Sequence, residues 1–398
     1  MSRIKSEGWG LHALLTPDEA NQVDLKLDAV EVAQRELFDV FALNWPTFGS
    51  TEQDAFIADP GGATMVSAID PTDHSPWLVY ANSTGVYRSR DGVRWLAADA
   101  QPTGYVGDVQ DMAGSTYASL ILKHSGTITK CWRSSNAGST WAGPFPLPAT
   151  STNSAWSRIG IYERAHLFIA VSGGGTIAVS ENSADWTELS DPGSPYDAYC
   201  VVSAAPSESA EGVLVLRNNT TVTWSLDGLV WSQTVLPFQA SGACAACWSE
   251  YHTQWYLITS GGLLLASPAV DGDWTVVAQF FGQGNLAAFL RPGPSGGLSS
   301  SSMIASGPNL IILGQRVASD AAHRSGSILV FNPGTFAGCA IDPFAGTGPF
   351  LGTNGGDPGW QRVVRHDGRI VAARVRETTT GIFRMETAAS LRSPFLRE

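Results

Sequence analysis

Lysine is nearly absent from these 398 residues; Lys5, Lys26, Lys123 and Lys130 are all there is. Acidic residues number 36 against 24 Lys and Arg, for a net charge of −12. Nucleic-acid binding and attachment to an anionic bilayer both draw on clustered cations, so both are disfavoured. Charged residues make up only 15% of the chain and hydrophobic ones 43%, a balance that allows a large core and argues against wholesale disorder. No apolar run is long enough to span a bilayer. Met1 to Gly10 hold no apolar core of a secretory signal, which predicts synthesis in the cytoplasm and, for any work outside the cell, release by lysis or on a particle.

Other chemistries are thin as well. Five cysteines (Cys131, Cys200, Cys244, Cys247, Cys339) lie in apolar stretches and read as small buried hydrophobes. Cys244 and Cys247 lack the second pair of soft ligands that a zinc site requires. The seven histidines are isolated, and no metalloprotease helix, nucleophile elbow or phosphate loop occurs. Gly173–Gly175 reads as a hairpin, and the sequons at Asn82 and Asn218 have no export signal ahead of them. No cofactor and no metal are expected.

What the chain does have is a repeat. Five segments end in tryptophan: Ser89 to Trp95, Ser134 to Trp141, Ser180 to Trp186, Ser225 to Trp231 and Ser267 to Trp274. The tryptophans are 46, 45, 45 and 43 residues apart. Upstream of each lies an apolar run, such as Leu167-Phe-Ile-Ala-Val171 or Val213-Leu-Val-Leu216, and a further apolar segment precedes that. Each unit reads as four short strands with an Asp/Gly turn before the last, the pattern of a propeller blade. Two degenerate units follow, one through Ile304, Leu310–Leu313 and Ile328–Phe331, the other through Val363, Ile370–Arg374 and Gly381–Met385. The fold class is therefore all-β, a seven-bladed propeller over residues 61–398 with six blades as the alternative, preceded by a helical arm.

The turns carry a resemblance. Ser134 to Trp141 is similar to the Asp-box, or BNR repeat, of sialidase-like propellers (Ser-x-Asp-x-Gly-x-Thr-Trp), with Asn136 in the acid position. The other copies supply Ser89, Asp91, Gly92 and Trp95; Ser180, Asn182 and Trp186; Ser225, Asp227, Gly228 and Trp231; and Asp271, Gly272 and Trp274, beside Gly138 and Trp141 of the matching copy. The resemblance implies a turn on the outer rim, between a blade's third and fourth strands. Side-chain physics agrees, since Asp or Asn caps such a turn and Gly takes its positive φ. These acids are thus read as structural.

A sialidase-like site would lie at the ring centre and would use three arginines, a Tyr–Glu pair and an Asp. The family's Arg-Ile-Pro motif is absent, with Arg158-Ile159-Gly160 its nearest echo. The inner segments offer Arg158, Arg362 and Arg365, and candidate acids Asp108, Asp111, Glu163 and Asp367, with no spacing that singles out the two carboxylates of a glycosidase. No catalytic residue is assigned. Trp132, Trp156, Trp248 and Trp360, outside the turns, are candidates for stacking on sugar rings of a cell-surface glycan.

The first residues break the β pattern. Thr16-Pro-Asp-Glu19 is a capping box with Pro at the first helical position. A helix over about 17–43 is expected, with Ala20, Val23, Leu27, Val30, Leu37 and Phe41 at heptad spacing. Residues 1–48 form an arm for docking or oligomerisation and 49–60 a linker. An anchor followed by a sealed β module resembles bacteriophage tail or injection-machine components, as does Leu15 to Asp24. The leading expectation is a non-enzymatic binding propeller mounted on a virion by its helix. The alternatives are a divergent sialidase-like hydrolase and an intracellular scaffold similar to the Asp-box assembly factors of photosynthetic organisms.

Overall fold

A computed structural model describes residues 64–279, 303–313, 328–341 and 360–386, excluding 83–84, 93, 106–107, 126–127, 150–155, 190–197, 205–207, 218–219, 238–242, 260–261, 368 and 376–379. The helix expected over 17–43, with Ala20, Val23, Leu27, Val30, Leu37 and Phe41, lies outside the described residues. Among those described there is no α-helix, and no helix long and apolar enough to cross a membrane. The chain divides into two compact units, residues 1–46 with 385–398, and residues 47–384; the sheets belong to the second except for residues 385–386 at the end of the last strand.

Strands follow one another as antiparallel meanders. The first sheet holds β1 (Thr64–Ile69), β2 (Pro76–Ala81), β3 (Val86–Ser89) and β4 (Leu96–Ala97). The second holds β5 (Asp108–Gly114), β6 (Ser119–Ser125), β7 (Ile128–Ser134) and β8 (Ala142–Pro146). The third holds β9 (Trp156–Tyr162), β10 (Leu167–Ser172), β11 (Ile177–Ser180) and β12 (Thr187–Leu189). The fourth holds β13 (Ala198–Ser203), β14 (Val213–Arg217), β15 (Thr221–Ser225) and β16 (Ser232–Val235). The fifth holds β17 (Ala243–Ser249), β18 (Gln254–Thr259), β19 (Leu263–Ser267) and β20 (Thr275–Gln279). The sixth holds β21 (Met303–Ser306), β22 (Asn309–Leu313), β23 (Ile328–Asn332) and β24 (Ala337–Ile341).

The last unit gives only β25 (Trp360–His366), β26 (Arg369–Val375) and β27 (Thr380–Glu386) among the described residues. The protein is thus a β-propeller with six four-stranded blades, the alternative count, and a three-stranded sheet where a seventh full blade was expected. First strands line up around the ring in chain order, and β25 lies beside both β21 and β1. Among the described residues, this arrangement packs the sheets face to face against their neighbours around the ring.

Period-two alternation builds the core between sheets. In β10, Phe168 and Ala170 pack toward the second sheet while Ile169 and Val171 pack toward the fourth. In β18, Trp255 and Leu257 face the fourth sheet, and Tyr256 and Ile258 the sixth. A strand buried on both faces has no polar alternation, which is why these segments read as continuous apolar runs. The seam between the last sheet and the first is made by Val364 and Val371 against Met65, Leu78 and Tyr80.

Small residues let adjacent sheets approach. A Cβ added at Gly160 in β9 would lie 2.4 Å from Val201 Cγ1 and 2.7 Å from Val201 Cβ. Gly160→Ala is therefore expected to destabilise the fold by about 1–3 kcal/mol through overpacking, read as a lower denaturant midpoint with an unchanged slope.

Candidate functional site

The rim turns form by local hydrogen bonding. In four copies the serine hydroxyl donates to the acid or amide two residues on, at 3.1 Å for Ser89–Asp91, 2.9 Å for Ser134–Asn136, 3.2 Å for Ser180–Asn182 and 3.0 Å for Ser225–Asp227. That Oδ1 then accepts backbone N–H groups further along, from Arg94, Thr140, Asp185 and Val230. Gly92, Gly138 and Gly228 take φ of 76°, 80° and 78°, and Ser183 takes 61° in the copy without glycine. Each closing indole donates to the carbonyl at that position: Trp95 to Gly92, Trp141 to Gly138, Trp186 to Ser183 and Trp231 to Gly228. Asp227 is held below the usual carboxylate range, chiefly by the N–H groups of Val230 and Leu229.

The fifth copy departs from this. Ser267 donates to the Ala269 carbonyl, whose oxygen also accepts from Gly272 N. Trp274 Nε1 is buried with no hydrogen-bond acceptor among the described residues. Ala269 stands two residues after Ser267, where the other copies carry Asp or Asn, so the serine meets a backbone carbonyl in place of a side-chain oxygen while the indole stays inside.

At the inner rim, β-bulges recur. Pairing slips by one residue between Val109 and Asp111, at Ser157, between Ala198 and Cys200, between Ala243 and Ala245, and between Trp360 and Arg362. A bulge re-aims the side chains that follow it. Those side chains include Asp111, Arg158 and Arg362, which the structure brings together. Arg362 Nη2 donates to Asp111 Oδ1 at 2.8 Å and to the Met112 carbonyl at 2.6 Å. Asp111 Oδ2 accepts from Ile159 N at 3.0 Å. Arg158 is buried, with Nη1 on the Ser157 carbonyl at 2.7 Å. Burial pushes the neighbouring Cys200 thiol up to about 12, and the Arg362 and Arg158 guanidiniums pull against that.

Asp111 thus ties the second, third and last sheets, and both its oxygens are engaged. Arg365 donates to the Ala305 carbonyl instead of joining this group. Glu163 is elsewhere, in a short 3-10 turn, where it accepts Thr116 N at 2.7 Å and Thr116 Oγ1 at 2.9 Å. Asp367 is exposed in a hairpin at φ 48°. Asp108 lies on β5, with its side chain outside the described residues. Three of the four stacking candidates are buried: Trp132 donates to the Thr103 carbonyl, Trp156 to the Pro148 carbonyl and Trp248 to Glu250 Oε2. They present no face to a sugar. Trp360 falls on β25, with its side chain outside the described residues.

Sequence reasoning missed a set of clasps between blades. Glu250 accepts Ser209 N and Oγ at 3.0 and 3.1 Å, just as Glu163 accepts Thr116. His252 Nε2 meets the Pro308 carbonyl at 3.0 Å. His366 meets Ser67 Oγ at 3.1 Å and the Arg90 carbonyl at 2.9 Å, fastening the last sheet to the first. The available signal was a Ser or Thr in one unit with a Glu 41 or 47 residues later. Among the described residues, no His, Cys, Asp or Glu cluster has a metal-ligating arrangement.

No protein-family model matches the chain, and no curated protein matches it. Solved structures do. YCF48 from Cyanidioschyzon merolae has a TM-score of 0.50 and 11% identity, covering 82% of this chain and 96% of that one. A YCF48 structure bound to D1 peptide reaches 0.54 at 12% identity, covering 86% and 98%. A catalytically inactive virginiamycin B lyase from Staphylococcus aureus with quinupristin reaches 0.57 at 9% identity, covering 84% and 96%. Likeness at such low identity is likeness of fold, and on that ground the chain is a β-propeller.

Proposed function

We propose that the protein is a non-enzymatic binding propeller whose partner is another protein, carried on a particle such as a bacteriophage tail through residues 1–48. The observation that carries this reading is the engagement of Asp111. One oxygen holds Arg362 and the other a backbone N–H, so the carboxylate acts as a clasp and not as a proton donor or nucleophile. Glu163 is similarly taken up by Thr116. A peptide partner in one YCF48 structure favours polypeptide over sugar as the ligand class, and so does the burial of Trp132, Trp156 and Trp248.

Mounting rests on the capping box and heptad spacing of Thr16 to Phe41. Mass spectrometry of particles purified from producing cells tests it. Co-purification at fixed stoichiometry, lost when residues 1–48 are deleted, is expected. Recovery of the chain only in the soluble fraction would overturn the reading.

A further inference from the structure

The rim turns are copies of one structure, so they serve as controls for one another. At the position after the serine they carry Arg90, Ser135, Glu181 and Leu226. At the position before the tryptophan they carry Arg94, Thr140, Asp185 and Val230. All eight are exposed, and the hydrogen-bonded frame is shared. Three copies put polar or charged groups into solvent there. The fourth puts out Leu226 (47% exposed) and Val230 (70%) at these two positions, with Leu229 (51%) next to Val230, where the first copy has Val93 in sequence. The frame does not require apolar residues, and exposing three together has a cost unless something covers them.

We propose that the fourth rim turn is the docking site for a polypeptide segment of a partner protein, one that sets apolar side chains on Leu226, Leu229 and Val230 and a lysine or arginine beside Asp227. This rests on the protein-binding reading above and names its site and partner chemistry. Charge complementarity fixes the cation. Asp227 stands exposed amid the three apolar residues, held ionised by the backbone N–H groups of Leu229 and Val230 at 2.8 Å. The turn is tied to the neighbouring loop by the Tyr162 hydroxyl, which donates to the Leu226 carbonyl at 2.7 Å and accepts from Gly212 N at 3.1 Å. That loop carries the exposed Glu211, which pairs with Arg164 at 3.4 Å, so Asp227 is the acid this site offers. The turn is held by its own hydrogen bonds from Ser225, Asp227, Trp231 and Tyr162 before anything docks; pre-organisation of this kind lowers the cost of association.

The other turns supply variants whose fold is already demonstrated within this chain. Leu226→Ser with Val230→Thr grafts the residues of Ser135 and Thr140, and Asp227→Asn copies Asn136. The probe is a fluorescein-labelled peptide of leucine and lysine, with a leucine and glutamate peptide as control. Anisotropy and amide hydrogen exchange are read on the full chain. Binding of the lysine peptide with protection of residues 226–231, and roughly tenfold or greater weakening in each variant, is expected. Equal binding by wild type and variants, without protection at 226–231, would overturn this site and leave the protein-binding reading standing. Failure of the lysine peptide to bind wild type, or equal binding of the glutamate peptide, would overturn the partner chemistry. Absence of the chain from particles bears on the mounting alone.

Discussion

Asp111→Ala is expected to lower the stability of the propeller by about 3 kcal/mol, at the lower end for breaking a buried ion pair. The Asp111 side chain is 8% exposed and that of Arg362 20%. Removing the carboxylate leaves a mostly buried guanidinium that still donates to the Met112 carbonyl but has lost its counter-charge, and it frees Ile159 N of its acceptor. An unsatisfied buried donor carries its own desolvation penalty, which adds to the uncompensated charge. The loss falls at the point where β25 reaches past the first sheet to β5, so the last sheet should loosen first. Chemical denaturation gives the total, and hydrogen exchange in β25 and β26 locates it. Arg362→Met in the Asp111→Ala background should recover part of the loss, because it removes the stranded charge.

Trp132→Ala is expected to cost about 3–5 kcal/mol, as for other large-to-small changes at fully buried aromatic residues. Trp132 is fully buried, meets Tyr105 edge-on at a centroid distance of 5.5 Å and donates to the Thr103 carbonyl at 3.0 Å. The substitution opens a cavity between blades and strands that carbonyl. A surface sugar-stacking tryptophan would behave differently, with stability nearly unchanged and glycan binding lost. Thermal and denaturant unfolding separate these two roles without any ligand in hand.

The contrast between Trp132 and Trp231 explains how far the sequence could be read. The blade units and rim turns were legible because their determinants are local. Ser225, Asp227, Gly228 and Trp231 lie within seven residues and bond to one another, so spacing alone describes the structure. Trp132 carries no such marker; whether an indole faces a seam or solvent depends on which sheet packs beside it. The same holds for the acids. Asp111 pairs with a residue 251 positions away, and Glu163 with one 47 positions away. Their roles as clasps come from ring closure, which no local pattern encodes. The inner bulges are equally silent, because one extra residue in a strand leaves the apolar pattern readable in either register. The blade count turned on the last unit, where β25 to β27 give three strands among the described residues and the degenerate repeats carry no rim turn of the Ser225 type.

Leu226, Leu229 and Val230 illustrate the opposite case. Their identities were visible from the start, yet their meaning needed the structure. Only once four turns were seen to share one hydrogen-bonded frame did the apolar copy stand out from Arg90, Ser135 and Glu181.

The most direct test of the account is a turnover assay of the full chain and of Asp111→Asn on a panel of fluorogenic glycosides, read together with unfolding. The account predicts no turnover by either protein and a lower midpoint of unfolding for the variant, because Asp111 holds sheets together. Clear turnover by the wild type, abolished in Asp111→Asn while the midpoint stays unchanged, would contradict it.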